Sequence, residues 1–197
     1  MTNATVLTSD RLAKTDSPVL DVLAGRWSPR AFDAAAHIDE TKLASALEAA
    51  RWAPSAHNLQ PWRFIVARRG TTAHDTLVAS LMGFNRMWAA NAGALIIAVA
   101  ETTAEDGTDI AFAAYDLGQA VAHLSVQAHH DGLHVHQMGG FDRDAVRSAF
   151  DLSERFTPMT AIAIGEIGEA GSLPEALAER EVAPRVRRPV SELILGA

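Results

Sequence analysis

The chain has 197 residues and no cysteine, which removes disulfides, thiolate metal sites and a cysteine nucleophile together. That absence fits a reducing cytoplasm. Aromatic residues make up only 6% of the chain, with a single tyrosine. Positive charge is scarce too: the net charge is −7. No basic stripe lies outside the C-terminal segment, which argues against a nucleic-acid partner. Long apolar runs are missing. The longest, Ala92–Ala100, is about half the ~20 residues that cross a bilayer. Met1 to Asp16 is polar and lacks the apolar run of a secretory signal, so a soluble, cytoplasmic protein with no membrane partner is expected. A Gly-rich strand-to-helix fingerprint for dinucleotides is absent, and Gly139-Gly140 alone is not one. Neither a Ser-His-Asp ordering nor a nucleophile elbow is present.

What is there suffices for one domain. With 48% hydrophobic and 21% charged residues, the chain can fill a core and still leave apolar surface for a subunit interface. Residues 1–16 read as a flexible arm and 17–197 as a single domain. Ser17-Pro18 starts a short helix ending at Gly25. Asp39 caps a second, in which Leu43, Ala46, Leu47 and Ala50 recur at helical spacing. A strand, Arg63–Ala67, a helix near Thr72–Met82 and an apolar strand, Ala94–Ala100, follow. The spacing then predicts a helix from about Asp109 to Asp131, roughly 34 Å long and buried nearly all round. Leu133–Met138 reads as a strand, Asp142–Phe150 as a capped helix and Met159–Ile167 as a strand. A last helix starts at Pro174. The order is mixed α and β, without the regular alternation of a doubly wound sheet.

Four constellations carry chemistry. Arg26-Trp27-Ser28-Pro29-Arg30 sets two arginines and a hydroxyl within five residues, donors suited to a phosphate. A solvated basic turn would look the same. The tail Arg185-Val186-Arg187-Arg188 offers a second set, and both are able to converge on one anion. The loop Pro54-Ser55-Ala56-His57-Asn58-Leu59-Gln60 lies between Trp52 and Trp62, which want burial and would make it rigid. Its amides either meet the polar edge of a flat heterocycle or satisfy the loop's own backbone. Gln137-Met138-Gly139-Gly140 follows a strand, and its glycines let a flat ligand approach the backbone closely. His129, His130, His134 and His136 crowd together without a carboxylate motif or fixed ligand spacing. They read as satisfied or surface histidines, and no metal is expected.

Taken together and in order, these residues resemble the nitroreductase family of FMN-dependent oxidoreductases over residues 17–195. The most specific block is Ala50-Arg51-x-Ala53-Pro54-Ser55-x-x-Asn58-x-Gln60-Pro61-Trp62. The resemblance implies an α+β fold, a central, mostly antiparallel sheet flanked by helices, in an intertwined homodimer with shared active sites. It implies FMN, with NAD(P)H as donor and a small-molecule acceptor such as a nitroaromatic or quinone, in a ping-pong cycle. Arg26, Ser28 and Arg185 or Arg187 would hold the phosphate. Trp27 stands where the family commonly has a second basic residue, so its backbone N–H would serve. Arg30 would lie by the pyrimidine edge, and Pro54, Ser55, Ala56, Asn58 and Gln60 would pack on the flavin from the partner. Met138, Gly139 and Gly140 would face N5, and no catalytic side chain beyond Arg30 is implied. A dehalogenase, a flavin-cleaving synthase and a non-catalytic FMN-binding protein are the alternatives. No inserted lid is evident between Met82 and Ala94 or within Glu101–Thr108.

Overall fold

Strand β2 (Ala94–Glu101) is buried along its whole length, and the fold is built around it. In the computed structural model, which describes residues 11–196, the first ten residues of the expected arm lie outside the described part. Along β2, Ala94, Ile96, Ala98 and Ala100 enter one core while Leu95, Ile97 and Val99 enter the other. That is the period-2 alternation of a strand with apolar layers on both faces. β1 (Trp62–Arg68), β3 (His134–Met138) and β4 (Phe156–Gly165) complete a sheet of order β1-β2-β4-β3, every neighbouring pair antiparallel.

Helices cover both faces. α1 (Asp21–Gly25), α2 (Glu40–Arg51) and α5 (Ala113–His130) lie in chain order with α3 (Thr72–Ser80) and α4 (Asn85–Ala89) between α2 and α5. α6 (Arg143–Ala149) and α7 (Glu175–Val182) follow. One core joins the sheet to α2 and α5 through Leu43, Ala46, Leu117, Val121 and Leu124. The other joins it to α3, α4, α6 and α7 through Leu77, Trp88, Val146 and Leu177, together with Phe32. This is the expected α+β fold with an antiparallel sheet between helices.

The caps expected at Asp39 and Asp142 are present. The Asp39 side chain accepts from Thr41 N–H at 2.9 Å, and that of Asp142 from Ala145 N–H at 2.9 Å. Four expectations are corrected. α1 starts at Asp21 and not at Ser17-Pro18, with Leu20 before it and no side-chain cap. α5 starts at Ala113 and not at Asp109, because Asp109 pairs with Thr103 and Ile110 N–H donates to the Thr102 carbonyl. α5 is also not covered all round: Ala114, Gly118 and Ala122 face outward from the single chain. Trp52 is 70% exposed, its indole N–H donating to Glu48 at 2.9 Å, with the Arg51 guanidinium 4.8 Å from its ring. Only Trp62 is buried at the loop's far end.

Candidate functional site

The segment from Arg26 to Ala31 is extended and, short of the Phe32–Ile167 bridge, has no strand partner. Side chains from three distant elements hold it instead. Arg185, in the tail, donates to the carbonyls of Arg26 at 2.8 Å, Ala24 at 2.7 Å and Arg11 at 2.6 Å. His136 of β3 lies 2.8 Å from the Pro29 carbonyl. Glu181 of α7, only 3% exposed, accepts from Arg30 N–H at 2.8 Å and Ala31 N–H at 2.9 Å. Gly168 lets the next residues pack closely, since a Cβ there would lie 2.8 Å from the Phe32 backbone.

Beside this segment is a cleft of about 360 Å³ lined by Arg26, Arg185, Arg187 and Arg188, with Lys14 and Thr15 at its mouth. Burial, and then the Arg187 charge, hold the Arg26 guanidinium below the usual arginine range. Arg185 is lowered by burial and then by Arg26, Arg187 and Arg11. Among the described residues no carboxylate forms an ion pair with Arg26, Arg185 or Arg187. One carboxylate, Asp16, lines the same cleft, so the four arginines and Lys14 outnumber it, and such an excess of cations makes a place for an anion. Within it the arginines differ. Arg185 spends its guanidinium on three backbone carbonyls, whereas the exposed Arg187 donates only to its neighbour Val186. Ser28 is exposed on the segment, and Trp27 is half-buried under the Arg11 guanidinium at 4.0 Å.

His136 ties this segment to β3, whose end leads into Gly139-Gly140. The Met138 side chain goes into the core and its carbonyl accepts from Thr160 at 3.0 Å, so the open backbone is that of the two glycines. The Gly140 carbonyl accepts from Met82 N–H at 3.0 Å and Asn85 Nδ2 at 3.2 Å, and a Cβ on Gly140 would meet Asn85 at 2.8 Å. Met82, Phe84 and Met87 stand exposed beside this turn. Asn85 and Phe84 carry no sequence signal that would single them out.

The loop Pro54–Gln60 lies elsewhere in the chain. Its Ala56 N–H donates to Asp116 near the start of α5 at 3.0 Å, and Pro54, Ser55 and Ala56 border an open hollow with Phe112 and Tyr115. Ser55 accepts from Gln60 N–H at 3.1 Å, and Gln60 donates to Asn58 Oδ1 at 3.1 Å, so these side chains brace the loop itself. His57, Asn58 and Gln60 have φ of 51°, 56° and 50°. Three non-glycine residues in the left-handed region mark stored strain of the sort found at binding sites. The arginine cluster lies by the other end of α5, where Arg26 and Arg185 act on His129. The thirteen residues from Asp116 to His129 span about 20 Å at 1.5 Å per residue. Within one chain, loop and arginines therefore do not meet.

The comparisons decide the family. The model of the nitroreductase family matches residues 23–87 and 72–166. The chain belongs to the nitroreductase family. An uncharacterized 15.4 kDa protein of Mycolicibacterium smegmatis is 37% identical over 132 residues, covering 64% of this chain and 88% of that protein. A Bacillus subtilis protein named as an NAD(P)H nitroreductase, YodC, is 25% identical over 181 residues, covering 75% of this chain and 88% of its own. A solved structure described as an oxidoreductase containing FMN is 35% identical with a TM-score of 0.88, over 93% of this chain and 94% of that one.

In this nitroreductase-family chain His129, His134 and His136 are drawn inward, while His130 stays exposed. His129 and His134, 6% and 8% exposed, meet edge to face with centroids 5.4 Å apart, and the Nδ1 of each is buried with no hydrogen-bond partner among the described residues. Burial, then the neighbouring His129, hold His134 at about 4; burial, against its bond to Pro29, holds His136 at about 4. Neutral at physiological pH, the His136 ring donates Nδ1–H to Pro29. Among the described residues no three His, Cys, Asp or Glu side chains gather as a metal cluster, and no helix is long and apolar enough to cross a membrane. Glu181 and Asp116, which anchor the Arg26–Ala31 segment and the Pro54–Gln60 loop, escaped the sequence reading. A buried carboxylate bonding backbone amides 151 and 60 residues away leaves no local pattern.

Proposed function

We propose that the protein is an FMN-dependent oxidoreductase that takes electrons from NAD(P)H and gives them to a nitroaromatic, a quinone or a similar electrophilic acceptor in a ping-pong cycle. The observation that carries the reading is the cluster of Arg26, Arg185 and Arg187, which no ion pair among the described residues neutralises, with Arg30 on the same segment as Arg26 and β3, which leads into Gly139-Gly140, bonded to that segment through His136. When bound, FMN supplies the hydride chemistry, accepting at N5 and donating from it. The chain supplies the rest. Arg26 and Arg187 bind the phosphate, with Ser28 and the Trp27 N–H beside them, while Arg185 fixes the backbone from which Arg26 projects. Arg30 places positive charge by N1 and O2, which favours the reduced state. Gly139 and Gly140 present backbone, and the absence of a side chain, toward N5.

The loop Pro54–Gln60 completes the site from a second copy of the chain. An isologous contact about a two-fold axis perpendicular to α5 would lay the two helices antiparallel and bring each loop toward the other chain's arginines. The outward row Ala114, Gly118 and Ala122 suits close helix approach, and Leu193, Ile194 and Leu195 in the tail are exposed and need a cover. A homodimer is thus the functional unit.

Acid release and chromatography of the cofactor test the reading. FMN is expected, because the cleft ends in arginines and no fingerprint holds an adenylate half. Recovery of FAD, or no flavin after reconstitution, contradicts it.

A further inference from the structure

Glu181 stands out among the buried groups. A carboxylate taken out of water is costly unless it is paired and hydrogen-bonded. Its two oxygens answer Arg30 N–H at 2.8 and 2.9 Å and Ala31 N–H at 2.9 Å. Its sole ion-pair partner among the described residues is the Arg30 guanidinium, at a loose 4.0 Å. A neutral carbonyl is enough to accept from two amides, so the hydrogen bonds alone do not call for the charge. Among the described residues the one cation within 4.0 Å of that charge is Arg30. Four residues further on, Arg185 clamps the start of the same segment at the Arg26 carbonyl. The stretch from α7 into the tail therefore fixes both ends of the Arg26–Arg30 run.

We propose that Glu181 is a positioning residue for the flavin reaction: it holds the Arg30–Ala31 backbone and offsets part of the Arg30 charge, and so sets how far reduced flavin is favoured over oxidised. The inference rests on the placement of Arg30 in the proposed function. It assigns the chain a built-in brake on its own electrostatic stabilisation of the reduced cofactor.

The test is a redox titration of the holoprotein against a reference dye, with oxidised-FMN affinity measured in parallel. In Glu181→Gln, loss of the charge is expected to shift the ratio of reduced to oxidised FMN affinity about tenfold toward the reduced form, ~30 mV more positive for a two-electron couple. Glu181→Asp keeps the charge and shortens the reach, so it weakens both redox states together and leaves their ratio within about twofold of the parent. A merely structural glutamate moves both affinities and never the ratio. An unchanged or more negative potential in folded Glu181→Gln overturns the proposal. If that variant does not fold, Glu181→Ala takes its place as the charge-removing variant, with the same tenfold shift of ratio expected and an unchanged or more negative potential overturning the proposal; a tenfold change of ratio in Glu181→Asp overturns it as well. Arg30→Met in the same titration separates the two layers. If it fails to lower the potential, the placement of Arg30 falls. If it lowers the potential while Glu181→Gln does nothing, only the role of Glu181 falls.

Discussion

A single arginine illustrates how function and stability pull apart in this chain. Arg26 is drawn below the ordinary arginine range by burial and by Arg187, and no carboxylate among the described residues answers it. Replacing it by Ala should weaken FMN binding about ten- to a hundredfold, the worth of a charge-assisted hydrogen bond of roughly 1.5–3 kcal/mol. The cofactor-free protein should melt at the same temperature or higher, since a repelled cation has gone. Fluorescence titration with FMN and a thermal scan check both; unchanged affinity would make Arg26 a surface charge. The buried histidines give a second residue-scale outcome. His134 and His136 bind protons only below about 4 in the folded chain, while unfolded histidines bind them below about 6.5. Their contribution to stability is therefore whole above pH ~6.5 and is lost as the pH falls through the window toward 4, by about 1.4 kcal/mol per pH unit for each proton. Denaturant unfolding of the cofactor-free protein across that window measures it, and His134→Phe should flatten the slope by about one proton. A stability that does not change with pH would contradict the account.

At the scale of elements, what was readable in the sequence was what is local. Asp39 and Asp142 stand immediately before their helices, and the buried run Ala94–Ala100 has the composition of a central strand. α4 escaped because five residues between Gly83 and the next strand carry no periodicity, although its Trp88 is fully buried. Trp52 misled because an aromatic was equated with burial, whereas Glu48 and Arg51 hold it at the surface. The positions of Arg26, Arg30 and the glycine turn could be read, but not the side chains that fix them. Glu181, His136 and Arg185 reach the segment across more than 100 residues of chain, and only the folded sheet brings them there. Asp116 does the same for the loop. Asp116→Ala, which leaves the Ala56 N–H unpaired, should cost about 1.5–3 kcal/mol in denaturant unfolding, and Asp116→Asn, which keeps an acceptor, clearly less. Equal losses in the two variants would mean that the bond to Ala56 does not hold the loop.

The whole molecule poses the question of completeness. One chain carries the arginines at one end of α5 and the strained loop at the other, about 20 Å apart by helix rise. Gly118 sits on the outward face, and a Cβ added there would meet nothing within 4 Å. Gly118→Leu should therefore leave the single chain's packing intact while blocking close approach of a second helix. Sedimentation is expected to show a monomer that has lost FMN; a dimer with FMN retained would remove α5 from the interface. In the proposed function the assembled protein moves electrons from a nicotinamide donor through bound FMN to a small acceptor. Anaerobic titration of the purified holoprotein with NADH and with NADPH tests it most directly. One of the two is expected to bleach the flavin at one equivalent per FMN, and a quinone or nitroaromatic to restore the oxidised spectrum. A flavin that stays oxidised with both donors would contradict it.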